Sequence, residues 1–194
     1  LTRSSAASDV YKRQFKYIQN LNHYCSISHK LISSNLLNIV KKLLNEDSHF
    51  VNMEIHNKIA YHGTETPMHQ DNFYFRLDPP SALTAYVPLE MHNAQINGGL
   101  KFIKGSNKHG TLDHSKSKTK AFSSGLDFKG GDIYETDLDA GDIVFHHSNT
   151  IHFADKNESK FNRNSISIRF NGNSAKINNK MHLKYLENLK FNRE

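Results

Sequence analysis

The 194-residue chain contains no tryptophan, a single cysteine and only four prolines. One cysteine can form neither an intramolecular disulfide nor a thiolate zinc site, so nothing asks for an oxidising compartment and a cytoplasmic setting is expected. Long apolar runs are missing too. No stretch approaches the roughly 18 residues of a membrane span, and the first residues lack the basic-then-apolar order of a signal peptide. Concentrated charge is equally scarce. Lys and Arg number 25 against 19 Asp and Glu, a net +6, but the basic residues are scattered among 21 asparagines. They form no stripe interleaved with aromatics, which argues against nucleic acid or a membrane surface and leaves a small molecule as the expected partner. No feature of the sequence sets an oligomeric state.

What is present is organised in four parts. Residues 1–14 (LTRSSAASDVYKRQ) show no hydrophobic period and read as a non-native, adapter-like tail. Residues 15–50 read as an N-terminal helical segment, shortened by truncation of the natural N-terminus. Within it, the run after Ser34 places Leu36, Leu37, Ile39, Val40, Leu43 and Leu44 at helical spacing, an amphipathic helix with a core-facing stripe. Residues 51–172 change texture to short β-branched and aromatic segments. Strands are expected at 50–55, 68–77, 82–89, 100–103, 133–138, 142–147 and 164–170. Their spacing, with turns at Pro79-Pro80, Asn97-Gly98-Gly99, Gly130-Gly131 and Gly141, predicts a mainly β jelly-roll core rather than βαβ units. The polar stretch 107–131 reads as a loop long enough to cover a pocket mouth. Residues 173–194 space Ile177, Met181, Tyr185 and Leu189 as a C-terminal helix.

Two separated elements carry chemistry. His69-Gln70-Asp71 falls inside the expected strand 68–77, where alternation would put His69 and Asp71 on one face, about 6.6 Å apart. With 13 histidines and 11 aspartates such a triplet arises by chance about 0.7 times in this length. The weight comes from downstream, where the strand after Ala140-Gly141-Asp142 leads to His152. A second histidine from a distant strand completes two imidazoles and one carboxylate on one side of an ion, the donor set of non-haem Fe(II) oxygenases. Eleven residues on, Arg163 opens the next strand, where a buried guanidinium can hold a carboxylate bidentately. His146 and His147 are rival ligands by proximity. His62, His92, His109 and His114 lie in turns or loops and read as solvated, and Cys25 reads as structural.

These blocks together resemble the phytanoyl-CoA dioxygenase family of Fe(II)- and 2-oxoglutarate-dependent oxygenases. The resemblance runs from about Leu36 to Gly172, through Pro67-Met68-His69-Gln70-Asp71, Leu83-Thr84-Ala85-Tyr86, Leu89-Glu90 and Asn97-Gly98-Gly99-Leu100. It continues through Gly105-Ser106-Asn107-Lys108-His109-Gly110, Ala140 to His147, His152, and Asn157 to Arg163. It implies a double-stranded β-helix with flanking helices, with His69, Asp71 and His152 as iron ligands in preference to His146 or His147. It further implies Arg163 as partner of the distal 2-oxoglutarate carboxylate, Tyr86 against the cosubstrate and Lys58 at a recurring family position. Ser165, two residues beyond Arg163 on the same strand face, can add a hydroxyl to that carboxylate. Arg169 shares the parity but lies six residues on, about 20 Å along the strand, too far to substitute. The family's Gly-Ser-His-Lys turn reads Gly105-Ser106-Asn107-Lys108 here, a change expected in the loop and not at the metal.

The expected activity is therefore that of an Fe(II) dioxygenase that consumes 2-oxoglutarate and O2 and hydroxylates a small organic substrate, releasing succinate and CO2. Related halogenases have a small residue at the carboxylate position, so Asp71 favours hydroxylation, with desaturation or ring chemistry open. The alternative is a catalytically silent jelly-roll binding protein. The substrate itself is not written in the motifs.

Overall fold

The computed structural model describes residues 17–24, 30, 35–116 and 124–190; the expected tail 1–14, Cys25 and Phe191 lie outside them. In chain order the strands are β1 (Tyr17–Ile18), β2 (Ser48–Lys58), β3 (Thr66–His69), β4 (Leu77–Asp78), β5 (Ala82–Pro88), β6 (His92–Asn93) and β7 (Leu100–Ile103). There follow β8 (Ser115–Lys116), β9 (Ser124–Gly125), β10 (Ile133–Glu135), β11 (Asp137–Leu138), β12 (Val144–His147), β13 (His152–Ala154), β14 (Arg163–Gly172) and β15 (Lys176–Ile177). Among the described residues the helices are α1 (Leu36–Leu44), α2 (Asp71–Phe75) and α3 (Asn179–Lys190).

Two antiparallel sheets face one another. The larger has the order β1-β2-β14-β5-β12 and the smaller β10-β7-β13-β3, the jelly-roll arrangement expected from the strand spacing. Alternation makes the two faces of the larger sheet chemically opposite. One face carries Met53, Leu83, Ala85, Ile168 and Phe170, which pack under α1 through Leu36 and Val40. The other carries Lys58, Thr84, Tyr86, His146, Arg163 and Ser165, all buried and all polar or amphipathic. This second face looks across at the smaller sheet, where Leu100, Phe102 and Ala154 join Tyr86 in a separate apolar cluster. The cleft between the sheets is thus lined on one side by groups that need partners.

Several segments depart from the sequence expectations for local reasons. The expected strand 68–77 is β3, then α2, then β4. The chain turns because Gln70 and Asn72 are fully buried side chains tied to other loops, and Arg76 closes the helix in a left-handed conformation (φ 59°). The expected strand 133–138 is split at Thr136, whose backbone N–H and hydroxyl both donate to the Leu100 carbonyl (3.0 and 2.7 Å). That pin sends β10 to β7 and β11 to β6. In α1 the stripe is narrower than read. Ile39 and Leu43 are 38% and 57% exposed, because at 100° per residue they fall beside the line through Leu36, Val40 and Leu44.

The stretch 107–131 is not featureless. A 3-10 turn spans Ser106–His109, and β8 and β9 form a short hairpin. Leu126 donates to the Met68 carbonyl (2.7 Å), which sets the residues after β9 beside β3; residues 117–123 lie outside the described ones. The C-terminal helix begins at Asn179, after β15 pairs with β4. Its Tyr185 packs edge-on against Phe73 of α2.

Candidate metal centre

Asp71 owes its position to its neighbours. The Gln70 amide nitrogen donates to the carbonyls of Gly110 and Asn149 (both 2.8 Å), and its oxygen accepts from Leu112 N–H (2.7 Å). Asn72 donates to Leu77 O and Thr111 Oγ1 and accepts from Leu77 N–H. With both flanking side chains consumed by the scaffold, the Asp71 carboxylate is left to face the cleft. His69 and His152 arrive from adjacent strands and stand opposite each other in the β3–β13 pairing, their rings 4.2 Å apart at the centroids.

The protonation pattern follows from geometry. His69 Nδ1 lies 2.9 Å from the Pro67 carbonyl, and His152 Nδ1 lies 3.0 Å from the Thr150 carbonyl. A carbonyl only accepts, so each Nδ1 carries the hydrogen and each Nε2 presents a lone pair. Both Nε2 atoms lie 3.6 Å from Asp71 Oδ1, and the candidate ligand atoms of the three residues are all within 4.8 Å of one another. Donor atoms about 2.1 Å from a shared ion at right angles sit about 3 Å apart, so a small adjustment lets all three reach one ion. The other carboxylate oxygen, Oδ2, is occupied by Thr84 Oγ1 (2.8 Å) and His146 Nε2 (3.1 Å). Burial alone would raise the Asp71 pKa, but the imidazoles around it, His152 first and then His146 and His69, hold it well below the usual carboxylate range. Burial, reinforced by His69, pushes His152 well below the ordinary imidazole value. Both shifts favour the ligating forms, an ionised carboxylate and a neutral ring. The donor set therefore suits a divalent ion of the iron type.

At the far end of the same cleft lies a second centre. Arg163 and Lys58 are buried, and the register places them directly opposite each other on β14 and β2. Lys58 donates to the carbonyls of Asp155 and Ala154. Arg163 donates to Tyr86 Oη (3.4 Å), and its buried Nε has no partner among the described residues. Its charge is felt all round: after burial itself, Arg163 is the main cause that lowers Lys58 to about 6, His56 to about 4 and His92 to about 3. No carboxylate is hydrogen-bonded to either cation among the described residues. Ser165 is buried on the same face, two residues along.

A family model for phytanoyl-CoA dioxygenase matches residues 3–165. The chain belongs to the phytanoyl-CoA dioxygenase family. This is a family of Fe(II)- and 2-oxoglutarate-dependent oxygenases, and membership makes the chain an oxidoreductase of that kind. Solved structures agree on the fold. SnoN, an epimerase of nogalamycin biosynthesis solved with Fe3+, alpha-ketoglutarate and nogalamycin RO, is 19% identical over 90% of this chain and 77% of its own, with a TM-score of 0.69. EctD from S. alaskensis, solved with 2-oxoglutarate and 5-hydroxyectoine, is 17% identical over 84% of this chain and 58% of its own (TM-score 0.65). AviO1 from Streptomyces viridochromogenes is 19% identical over 83% of this chain and 68% of its own (TM-score 0.65). No curated protein matches the chain. Among the described residues no helix is long and apolar enough to cross a membrane.

For this family member the structure brings together every site residue expected from sequence, in two groups: His69, Asp71 and His152, and then Lys58, Tyr86, Arg163 and Ser165. Of the rival histidines, His146 points inward onto Asp71 Oδ2, and His147 accepts from Asn149 N–H (3.1 Å). Two histidines read as solvated are not. His92 has no exposed surface, and His114 is buried against Phe73, where it accepts from Gln70 N–H (2.9 Å). Nothing in their local sequence separates them from exposed loop histidines, because what buries them is distant chain.

Proposed function

We propose that the chain binds Fe(II) through His69, Asp71 and His152 and hydroxylates a small organic substrate at the expense of 2-oxoglutarate, releasing succinate and CO2. The observation that supports this best is the pairing, in one cleft, of a two-imidazole, one-carboxylate donor set with a buried guanidinium, Arg163, that has no carboxylate partner among the described residues. When bound, iron supplies the oxidising chemistry: one atom of O2 enters the substrate C–H bond and the other enters succinate. The chain's own residues bind and orient. Arg163 takes the distal carboxylate of 2-oxoglutarate, with Lys58 and Ser165 beside it, which fixes the cosubstrate in one direction along the cleft. Thr84 and His146 hold Asp71 Oδ2, so that Oδ1 is the oxygen offered to iron. Phe102, its ring 5.5 Å from His146 and 5.9 Å from His152, shields the ligands from water.

The test is an anaerobic titration with Fe(II) and 2-oxoglutarate, followed by the metal-to-ligand charge-transfer band. Wild type should show the band, His152→Ala should lose it, and Arg163→Ala should need far more 2-oxoglutarate to reach it. A folded, iron-loaded wild type without the band would refute the assignment. Because SnoN is described as an epimerase and SnoK as a carbocyclase, product analysis is part of the test. Hydroxylation requires a product heavier by one oxygen atom, in step with succinate.

A further inference from the structure

We propose that His92 is a positioning residue for the anion pocket: it takes the Tyr86 hydroxyl hydrogen in a hydrogen bond, leaves the Tyr86 oxygen as an acceptor for Arg163, and so aims the guanidinium at the distal carboxylate. This rests on the reading of Arg163 given above. His92 sits in β6 with no exposed surface. Its Nε2 is 2.9 Å from the Asn164 carbonyl, which can only accept, so Nε2 carries the ring hydrogen. Burial, then Arg163, keeps the ring neutral, with a pKa of about 3. Nδ1 therefore bears a lone pair, and its neighbour at 2.9 Å, Tyr86 Oη, must donate to it.

A phenol has one hydrogen to give. With that hydrogen committed to His92, the Tyr86 oxygen meets Arg163 Nη1 (3.4 Å) with lone pairs only. Tyr86 then works through Arg163 and does not donate to a bound carboxylate. The Asn164 contact adds a second hold, since Asn164 follows Arg163 on β14 and its side chain and N–H are both taken by Glu90. The turn 89–93 thus grips the guanidinium through Tyr86 and its backbone through Asn164.

Calorimetry on the Mn(II)-loaded protein with 2-oxoglutarate tests the relay without turnover. His92→Gln can accept through Oε1 and donate through Nε2, and should bind 2-oxoglutarate within about threefold of wild type. His92→Phe can do neither, and should bind at least about tenfold more weakly with Mn(II) affinity unchanged. Tyr86→Phe should show the same loss, and the double variant no more than either single one. Wild type that binds no 2-oxoglutarate overturns the reading of the pocket itself. Wild type that binds it, with His92→Phe or Tyr86→Phe unaffected, overturns the relay alone. So does a Gln variant as weak as the Phe variant, or a parallel loss of Mn(II) affinity. Should His92→Phe fail to fold, Tyr86→Phe decides.

Discussion

Binding of 2-oxoglutarate at neutral pH should take up a proton, and Lys58 should be where it goes. Lys58 ends β2 opposite Arg163, buried, and its acceptors among the described residues are the main-chain oxygens of Ala154 and Asp155. Burial and the neighbouring guanidinium lower it to about 6. At pH 7 about 0.9 of such lysines are uncharged in the free protein. A carboxylate bound beside it favours the ammonium form, so the pKa rises in the complex. Uptake means that affinity falls as pH rises from about 6 towards the bound-state pKa, by at most about tenfold per pH unit. Titration calorimetry of the Mn(II)-loaded protein at pH 7, in buffers of different ionisation enthalpy, reads the proton count as a slope, expected at roughly half to one proton. Lys58→Met should bind more weakly and show a slope near zero. A flat response in wild type would refute the argument, and an unchanged slope in Lys58→Met would move the proton to His56 or His92, the other groups that Arg163 lowers.

Three further outcomes follow from the packing. His146→Ala keeps all three candidate ligands but removes one of the two donors to Asp71 Oδ2, and should weaken Fe(II) binding about 10–100-fold in a metal titration; unchanged affinity would show that Thr84 alone suffices. Gln70→Leu removes the partners of three main-chain groups, at Gly110, Leu112 and the buried Asn149, and should cost about 2 kcal/mol in urea denaturation, whereas a loss below about 1 kcal/mol would mean that water reaches all three. Gly98→Ala has a positive φ (65°), and its Cβ would overlap the carbonyl oxygens of Asp155 and Lys156. It should destabilise by about 2–4 kcal/mol and, by moving an acceptor of Lys58, weaken 2-oxoglutarate binding in the same calorimetric assay.

The core strands were legible because their burial is alternating and local. Ile166, Ile168 and Phe170 against Arg163, Ser165 and Arg169 already spell two unlike faces, and the structure puts α1 on one and the cleft on the other. The break at Asp71 was not legible, because it depends on Gln70 and Asn72 finding partners at Gly110, Thr111, Leu112 and Asn149. No window around residue 71 contains that information. The consequence for the site is one of direction: the carboxylate leaves from the first turn of α2 and not from a strand face, and Oδ1 stands 3.6 Å from His69 Nε2. His92 was lost for a similar reason, since the Tyr86 hydroxyl and the Asn164 carbonyl that occupy it come from β5 and β14.

The two arginines of β14 show how charge, more than distance, assigns the anion. Arg163 and Arg169 occupy the same face of one strand. Arg169 spends its surroundings within the protein: its guanidinium lies 3.6 Å over the Phe75 ring and its Nε donates to Asn171 (3.0 Å). Asp71 and Glu54 both act to hold its proton against the burial that lowers its pKa to about 10. Its positive charge is therefore already answered. Around Arg163 the neighbours are Lys58, His56 and His92, and Arg163 drives each of them towards its neutral form. A buried cation that neutralises its neighbours, and whose own Nε has no acceptor among the described residues, is short of one negative charge. In the proposed function a dicarboxylate with one end at iron and the other at Arg163 would supply it, and the cleft would then favour one orientation of the cosubstrate even before a substrate enters.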